Sequence, residues 1–519
     1  PELRIDFDGL AERVAAVPVA AENYQNLTAT YDDLLYVRTS DPFFGRDQNP
    51  KPVLVLFSLK DRKETVLAEG IDGYALSADG QKVLVQQGSA YNLYDVKPEG
   101  KDKKKTVSTA DLVVDRIPAQ EWTEIFNEVW RRYRDFFYVP NMHGYDWAAL
   151  REEYLPLVKE VGHRADLNYV LGEMVAELNT SHSYIEGGDY EAPPRPKVAL
   201  PGAEFELDKA AARYRIAKIY AGENDEERYR SPLTEIGVNA KVGDYVLAVD
   251  GEELRGEDNP YRLLRGKLGH AVELTLNGKP TLDGARKVVF NPIDSEVRLN
   301  YLEWVKTNRE RVSRLSGGRV GYLHLPDMEG DGLREFVKAF YPQIRKEGLV
   351  IDVRGNGGGF VSEMIIERLK RELLSIGLSR NVQFPQTYPV STFYGSLVCL
   401  ESETTGSDGD VFAAMFRQAR LGPVLGKRSW GGVVGISGHG PLIDGGNVFV
   451  PEGATASIEG QWIIEGHGVD PDIEVENDPK SVLEGRDPQL ERAVAAVLKD
   501  MAAHPRHLPA RPAAPIKTP

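Results

Sequence analysis

Cysteine is almost missing: Cys399 is the single one in 519 residues, so no disulfide framework within the chain can be read. Its place in the apolar run Leu397-Val398-Cys399-Leu400 makes it a buried structural thiol, which fits a reducing compartment. Basic residues are short as well. Lys and Arg number 63 against 79 Asp and Glu, a net charge of −16 that argues against a binder of phosphate backbones. No nucleic-acid partner is expected. No apolar run is long enough to span a bilayer, so no membrane partner is expected either. There is no Gly-x-x-x-x-Gly-Lys-[Ser/Thr] loop, no His-Glu-x-x-His and no paired Cys or His spacing, which leaves no metal site and no cofactor to expect. A dinucleotide fingerprint starting at Gly355 fails at Phe360, where glycine is required. Gly435-Ile436-Ser437-Gly438-His439 imitates a serine elbow but ends in His439, so Ser437 reads as a loop residue. What remains is hydrolytic chemistry.

The length suggests about three or four domains, and 41% apolar with 27% charged residues is an ordinary globular balance. The chain opens at Pro1 without initiator methionine or a basic-then-apolar leader, and reads as a piece of something longer. From Leu3 to about Lys105, β-rich runs (Leu34–Arg38, Val53–Phe57, Thr65–Leu67, Lys82–Val85) alternate with turn signals such as Ser77-Ala78-Asp79-Gly80. That density matches about two propeller blades over residues 1–107, too few to close a ring. Lys101–Lys105 reads as a solvated linker. Residues 108–195 turn helical: Trp122, Ile125, Phe126, Val129, Trp130, Tyr133 and Phe137 mark one apolar face, and Leu167 to Leu178 another, ending in Asn179-Thr180-Ser181-His182-Ser183-Tyr184.

Residues 196–292 form a small unit with strands near Tyr214–Ile219, Tyr245–Val249 and Val272–Leu276. Its Val242-Gly243-Asp244-Tyr245-Val246-Leu247-Ala248-Val249-Asp250-Gly251 hairpin resembles a PDZ domain, a module that accepts peptide ends by strand addition. Residues 293–500 return to α/β, with buried-strand runs at Arg319–Leu325 and Leu349–Val353. The second feeds Arg354-Gly355-Asn356-Gly357-Gly358-Gly359 and a helix expected from about Ser362 to Leu374. Residues 501–519, with Pro505, Pro509, Pro512, Pro515 and Pro519, read as an Ala/Pro-rich tail or docking arm.

Within the last α/β region, Thr405-Gly406-Ser407-Asp408-Gly409-Asp410 follows the apolar run at Cys399. It precedes Val411, Phe412, Met415, Phe416 and Ala419 at helical spacing: strand, tight turn, helix. Gly406 and Gly409 permit backbone angles a side chain would forbid, so Ser407 can stand exposed like a nucleophile beside free amides. A plain helix N-cap is the competing reading. Acyl transfer needs a hydroxyl, a base, a group that orients the base, and N–H donors for the oxyanion. Ser407 supplies the first. Among nine histidines, His182 has the most directional context, with His439 and His467 as competing bases. The Gly357–Gly359 backbone and the Asp408 amide are candidate donors. Glu465, after Trp462-Ile463-Ile464, is a carboxylate able to orient a hydroxyl or an imidazole, or else a turn residue.

This order of segments and motifs, with Asn-Gly-Gly-Gly, Gly-Ser-Asp-Gly and Glu-x-x-Gly-Val-x-Pro-Asp, resembles the tricorn protease family within the tail-specific serine peptidases. The resemblance implies a multidomain fold: partial β-propeller blades, an α-helical segment, a PDZ-like domain and an α/β catalytic domain of the crotonase/ClpP-like kind. It implies Ser407 as nucleophile, His182 as general base, Glu465 orienting Ser181 and Ser181 orienting the imidazole, with Gly358 and Asp408 as oxyanion donors. The expected activity is hydrolysis of short peptides through an acyl-enzyme, in the cytoplasm, downstream of a larger protease such as the proteasome, by a homo-oligomer such as a hexamer. The rivals are a silent PDZ-containing peptide-binding scaffold and an acyl-thioester hydrolase.

Overall fold

The computed structural model describes residues 6–39 and 51–518, so Leu3 and Pro519 of the sequence reading lie outside the described residues. It divides into two units, Pro1–Ile117 and Pro118–Pro519. Among the described residues no helix is long and apolar enough to cross a membrane.

In the first unit, β1 (Asn23–Ala29), β2 (Asp33–Thr39), β3 (Val53–Ser58) and β4 (Lys63–Glu69) form one antiparallel meander. A second consists of β5 (Gly73–Leu76), β6 (Lys82–Gln87), β7 (Ala90–Asp95) and β8 (Lys105–Val107). These are two four-stranded sheets of the propeller-blade type. Alternation puts Leu54 and Leu56 of β3 into a core shared with Val83, Val85 and Tyr94, while Val55 and Phe57 pack with Tyr36 on the other face. Lys105 departs from the linker reading. It opens β8 opposite Leu93, because pairing with β7 satisfies backbone groups whatever the side-chain charge.

The second unit begins with α1 (Pro118–Phe136), α2 (Trp147–Tyr154) and α3 (Arg164–Ala176), followed by the short strand β9 (Tyr184–Glu186). The Ile125, Phe126, Val129 and Tyr133 stripe of α1 meets Leu167, Leu171 and Met174 of α3 in one core, where Val448 and Val450 also pack. The PDZ-like sheet runs β10 (Ala203–Asp208), β11 (Arg213–Ile219), β12 (Tyr245–Val249), β14 (Val272–Asn277), β15 (Arg286–Phe290), with β13 (Glu252–Glu253) paired to β12. Val246, Val249, Leu274 and Leu276 fill its interior.

After α4 (Val297–Leu315), a five-stranded sheet forms, parallel throughout: β16 (Val320–His324), β17 (Gly348–Asp352), β20 (Ser396–Glu401), β21 (Val424–Gly426) and β24 (Ile473–Glu474). Its connections include α5 (Gly330–Phe340), α6 (Ser362–Leu369), the hairpin β18 (Ser375–Gly377) and β19 (Gln386–Tyr388), α7 (Asp408–Gln418), and the pair β22 (Gly435–Gly438) and β23 (Asn447–Gly453). The chain then runs through α8 (Pro479–Leu483) and α9 (Pro488–Ala503). The sheet is buried on both faces, as parallel sheets are. Leu349, Ile351, Leu397 and Cys399 pack on one face, and Val350, Val398 and Leu400 pack against Val494 and Val497 of α9 on the other.

Two local expectations change here. The helix after the glycine turn stops at Leu369 rather than near Leu374, because the Leu374 N–H bonds the Tyr388 carbonyl (2.9 Å) at the mouth of the β18–β19 hairpin. Ser437 lies in β22, opposite Val450, rather than in a loop. The tail beyond α9 runs back over the domain: Arg506 donates to the Gly395 carbonyl and Arg511 to that of Ser379, each at 2.6 Å. Pairing of β9 with β23 (Tyr184 opposite Phe449) attaches the segment after His182 to the same domain that carries Ser407.

Candidate active site

Two turns leave the carboxyl ends of the neighbouring parallel strands β17 and β20, the edge where open α/β sheets place their ligands. The first is the glycine turn. A Cβ on Gly358 (φ +94°) would come within 2.4 Å of Ser407 Cβ, and one on Gly359 (φ +142°) within 2.1 Å of the Met328 carbonyl oxygen. Only glycine allows that approach. Asn356, fully buried, ties the two turns together. It donates from Nδ2 to the Leu325 carbonyl, accepts the Gly358 N–H on Oδ1 and accepts the Gly406 N–H on its own carbonyl, each at 2.9 Å.

The second turn carries Ser407 in a backbone conformation (φ 56°, ψ −124°) that L-residues seldom adopt. Ser407 is the N-cap residue of α7, yet its side chain makes no capping bond. Its Oγ lies 3.0 Å from His182 Nε2. The hydroxyl is therefore directed at a base and not at its own helix. His182, also at positive φ (55°), is half-buried, and burial lowers its pKa while the Glu465 charge opposes that shift. The imidazole is thus disposed to be neutral and able to accept a proton near neutral pH. Its other nitrogen, Nδ1, is 3.0 Å from Tyr184 Oη, and the Trp430 ring stands edge-on with centroids 5.6 Å apart.

Glu465 follows Ile464, a β-branched residue held at φ 76°. Its Oε1 accepts the Ser181 N–H (2.8 Å) and the Thr180 hydroxyl (3.4 Å). Its Oε2 accepts the Ser181 hydroxyl (3.0 Å) and the Val433 and Val434 N–H groups (2.8 and 3.2 Å). The expected link from Glu465 to Ser181 is present. The expected link from Ser181 to the imidazole is not formed among the described residues: the Ser181 hydroxyl donates to the carboxylate, and Nδ1 has Tyr184 Oη as its partner.

The competing histidines have other partners. His439 stacks on Phe136 (3.8 Å, 14°) with Nε2 on the Glu452 carboxylate, and His467 bonds Asp470 at 2.7 Å. The Asp408 amide opens α7 directly beside Ser407, while the Asp408 carboxylate holds the Ser362 N–H (2.9 Å) and hydroxyl (2.5 Å) at the start of α6. Gly358 sits against Ser407 as expected of an oxyanion donor, but its N–H is engaged by Asn356 Oδ1.

Asp410 was missed by the sequence reading. It is fully buried, accepts the Gly431 N–H at 2.9 Å, and has its pKa raised to about 6 by burial, against the opposing effect of the nearby Ser429 hydroxyl and the Ser407, Gly431 and Gly432 amides. Its signal was the spacing Ser407-x-x-Asp410, the form of a capping box, in which the third helical residue turns back to the N-cap amide. Tyr184 was missed too, although it lies only two residues beyond His182, at the start of β9. Among the described residues no group of three or more His, Cys, Asp or Glu side chains is placed to hold a metal.

Comparisons with known proteins agree across the second unit. Residues 118–176 match the tricorn protease C1 domain, 200–295 the tricorn protease PDZ domain and 319–475 peptidase family S41. The chain is 35% identical over 527 residues to tricorn protease homolog 1 of Streptomyces coelicolor, covering 98% of this chain and 48% of that protein. It is 34% identical over 464 residues to the tricorn protease of Thermoplasma acidophilum, covering 89% of this chain and 42% of that protein. A crystal structure of the tricorn protease superposes with a TM-score of 0.85 at 32% identity, covering 92% of this chain and 47% of the other. The chain spans about half the length of these curated relatives.

Proposed function

The chain belongs to the tricorn protease family, within peptidase family S41, and from that premise we propose that it is a serine peptidase acting on short peptides through an acyl-enzyme. The observation that carries this reading is the 3.0 Å contact of His182 Nε2 with a Ser407 hydroxyl freed from capping by its own turn. Ser407 Oγ attacks the peptide carbonyl as His182 takes its proton. The C–N bond then breaks, His182 returns the proton to the leaving amine, and water releases the acyl group by the same route.

Negative charge develops on the carbonyl oxygen during both steps. The Asp408 amide, at the positive end of α7, is one donor for it. Gly358 is the other once its N–H leaves Asn356, a reorientation of one peptide unit. Glu465 and Ser181 complete the group: the carboxylate favours the imidazolium that forms, and its five hydrogen bonds fasten residues 180–181 to 433–434. Family resemblance extends the proposal to a homo-oligomer, such as a hexamer, that works in the cytoplasm on peptides left by a larger protease such as the proteasome. Size-exclusion chromatography with light scattering tests the assembly.

The activity is tested by hydrolysis of a set of fluorogenic short peptides with the wild type, Ser407→Ala and His182→Ala. Turnover is expected from the wild type alone, with melting temperatures of all three alike. Hydrolysis retained by Ser407→Ala overturns the assignment, and thioester turnover without peptide cleavage returns the site to the rival hydrolase reading.

A further inference from the structure

A base that accepts through Nε2 must carry its single ring hydrogen on Nδ1, and that N–H needs an acceptor. The expected acceptor, Ser181, directs both its N–H and its hydroxyl to Glu465, at 2.8 and 3.0 Å. Tyr184 Oη occupies the position instead, 3.0 Å from Nδ1, with the two rings 5.8 Å apart at 60°. We propose that Tyr184 is the positioning residue that fixes the tautomer and orientation of His182 in this chain, a role that rests on the peptidase reading above.

Three features support the assignment. The Tyr184 backbone is registered by strand pairing with Phe449, and its ring leans edge-on against the Phe449 ring at 6.5 Å, so Oη is carried by a sheet rather than a free loop. Burial, and secondarily the Glu186 charge, push the Tyr184 phenol up, which keeps it a neutral hydroxyl whose lone pairs can accept. His182 itself lies in the left-handed region, outside any helix or strand, and its own backbone offers little restraint on the ring. The groups facing the imidazole are Tyr184 from β9, Ser407 from the nucleophile turn, Trp430 from the loop before β22 and the Glu465 charge from the segment after Ile464. Glu465 then acts by its field and by holding the 180–181 backbone, while Tyr184 makes the contact with the ring.

The expected consequence has a sign. A hydrogen bond from Nδ1–H to Oη is stronger when the ring is imidazolium, so it favours the charged form. Removing the hydroxyl lowers the imidazolium pKa, weakens the base and frees the ring to turn. The test measures kcat and KM for a fluorogenic peptide, and the rate of Ser407 labelling by a fluorophosphonate, from pH 5 to 9 on the full chain as wild type, Tyr184→Phe and Ser181→Ala. Tyr184→Phe keeps the ring against Phe449, and a wild-type melting curve verifies that it folds.

Tyr184→Phe is expected to lower kcat about tenfold or more with KM within about twofold, and to move the acid limb of kcat/KM to lower pH. Ser181→Ala is expected to lower kcat while leaving that limb in place. A Tyr184→Phe profile superimposable on the wild type, or the limb shift found in Ser181→Ala instead, overturns the role of Tyr184 and leaves the peptidase reading intact. No labelling of wild-type Ser407 at any pH overturns both.

Discussion

The turns after β17 and β20 begin side by side and run into helices that pack together, yet they solve opposite problems. The first removes side chains. Its glycines let the backbone come against Ser407 and Met328, and Arg354 before them is clamped between Asp352 (2.7 Å) and Asp487 (3.0 Å). The second keeps a side chain where the backbone disfavours one. Ser407 sits at φ 56°, anchored by Thr405, whose hydroxyl donates to the Val353 carbonyl at 2.7 Å and whose carbonyl accepts the Trp430 N–H at 2.9 Å. Space is therefore made in one turn for chemistry held under strain in the other, and Asn356 bonds to both.

Filling that space is the most damaging change to the pair of turns. Gly358→Ala puts a methyl 2.4 Å from Ser407 Cβ, and one of the two turns must move. The expected result is a fall of about 100-fold or more in acylation rate by stopped-flow labelling, since displacements of ~1 Å have that effect on aligned reactants. A rate within about threefold of the wild type would mean the turns are not in contact during acylation.

The second test concerns the strand that feeds the Ser407 turn. Glu401, the last residue of β20, is fully buried, its carboxyl has no hydrogen-bond partner among the described residues, and burial pushes its pKa to about 9. The folded state thus binds its proton more tightly than the unfolded chain. That contribution is fully present below the unfolded carboxylate range and is lost as pH rises toward 9, with a slope of at most about 1.4 kcal/mol per pH unit. Glu401→Gln, which carries no titrating proton, is expected to flatten the dependence of the urea midpoint on pH between 5 and 8. An unchanged slope contradicts the buried neutral acid.

Strain at Ser407 shows in a smaller change. Ser407→Gly relieves the positive φ and is expected to raise stability by about 1 kcal/mol over Ser407→Ala in urea unfolding, although both lack the hydroxyl. Equal stability of the two variants would show that the turn stores no backbone strain.

The two turns also show what a sequence can disclose. The second was legible in outline, because a buried-strand run, two glycines and helical spacing are all local signals around Ser407. So were the α1 and α3 faces and the β12 hairpin, where period and turn residues agree. What local pattern could not give is pairing over distance. Nothing near Lys105 announces that it pairs with Leu93, and nothing near Leu374 announces that Tyr388 takes its N–H. The site divides the same way. Ser407, His182 and Glu465 could be named by type and setting, but the choice between Ser181 and Tyr184 on Nδ1 depends on the pairing of β9 with β23, far along the chain. Likewise the capping-box spacing at Asp410 was visible, while the Gly431 amide it holds comes from another loop.

Activation of the Ser407 hydroxyl by His182 is tested most directly by fluorophosphonate labelling of the full chain, with the adduct located by peptide mass spectrometry. One adduct is expected, on Ser407, and it disappears in His182→Ala although Ser407 is still present. An adduct on another residue, or labelling of Ser407 at an undiminished rate without His182, would contradict it.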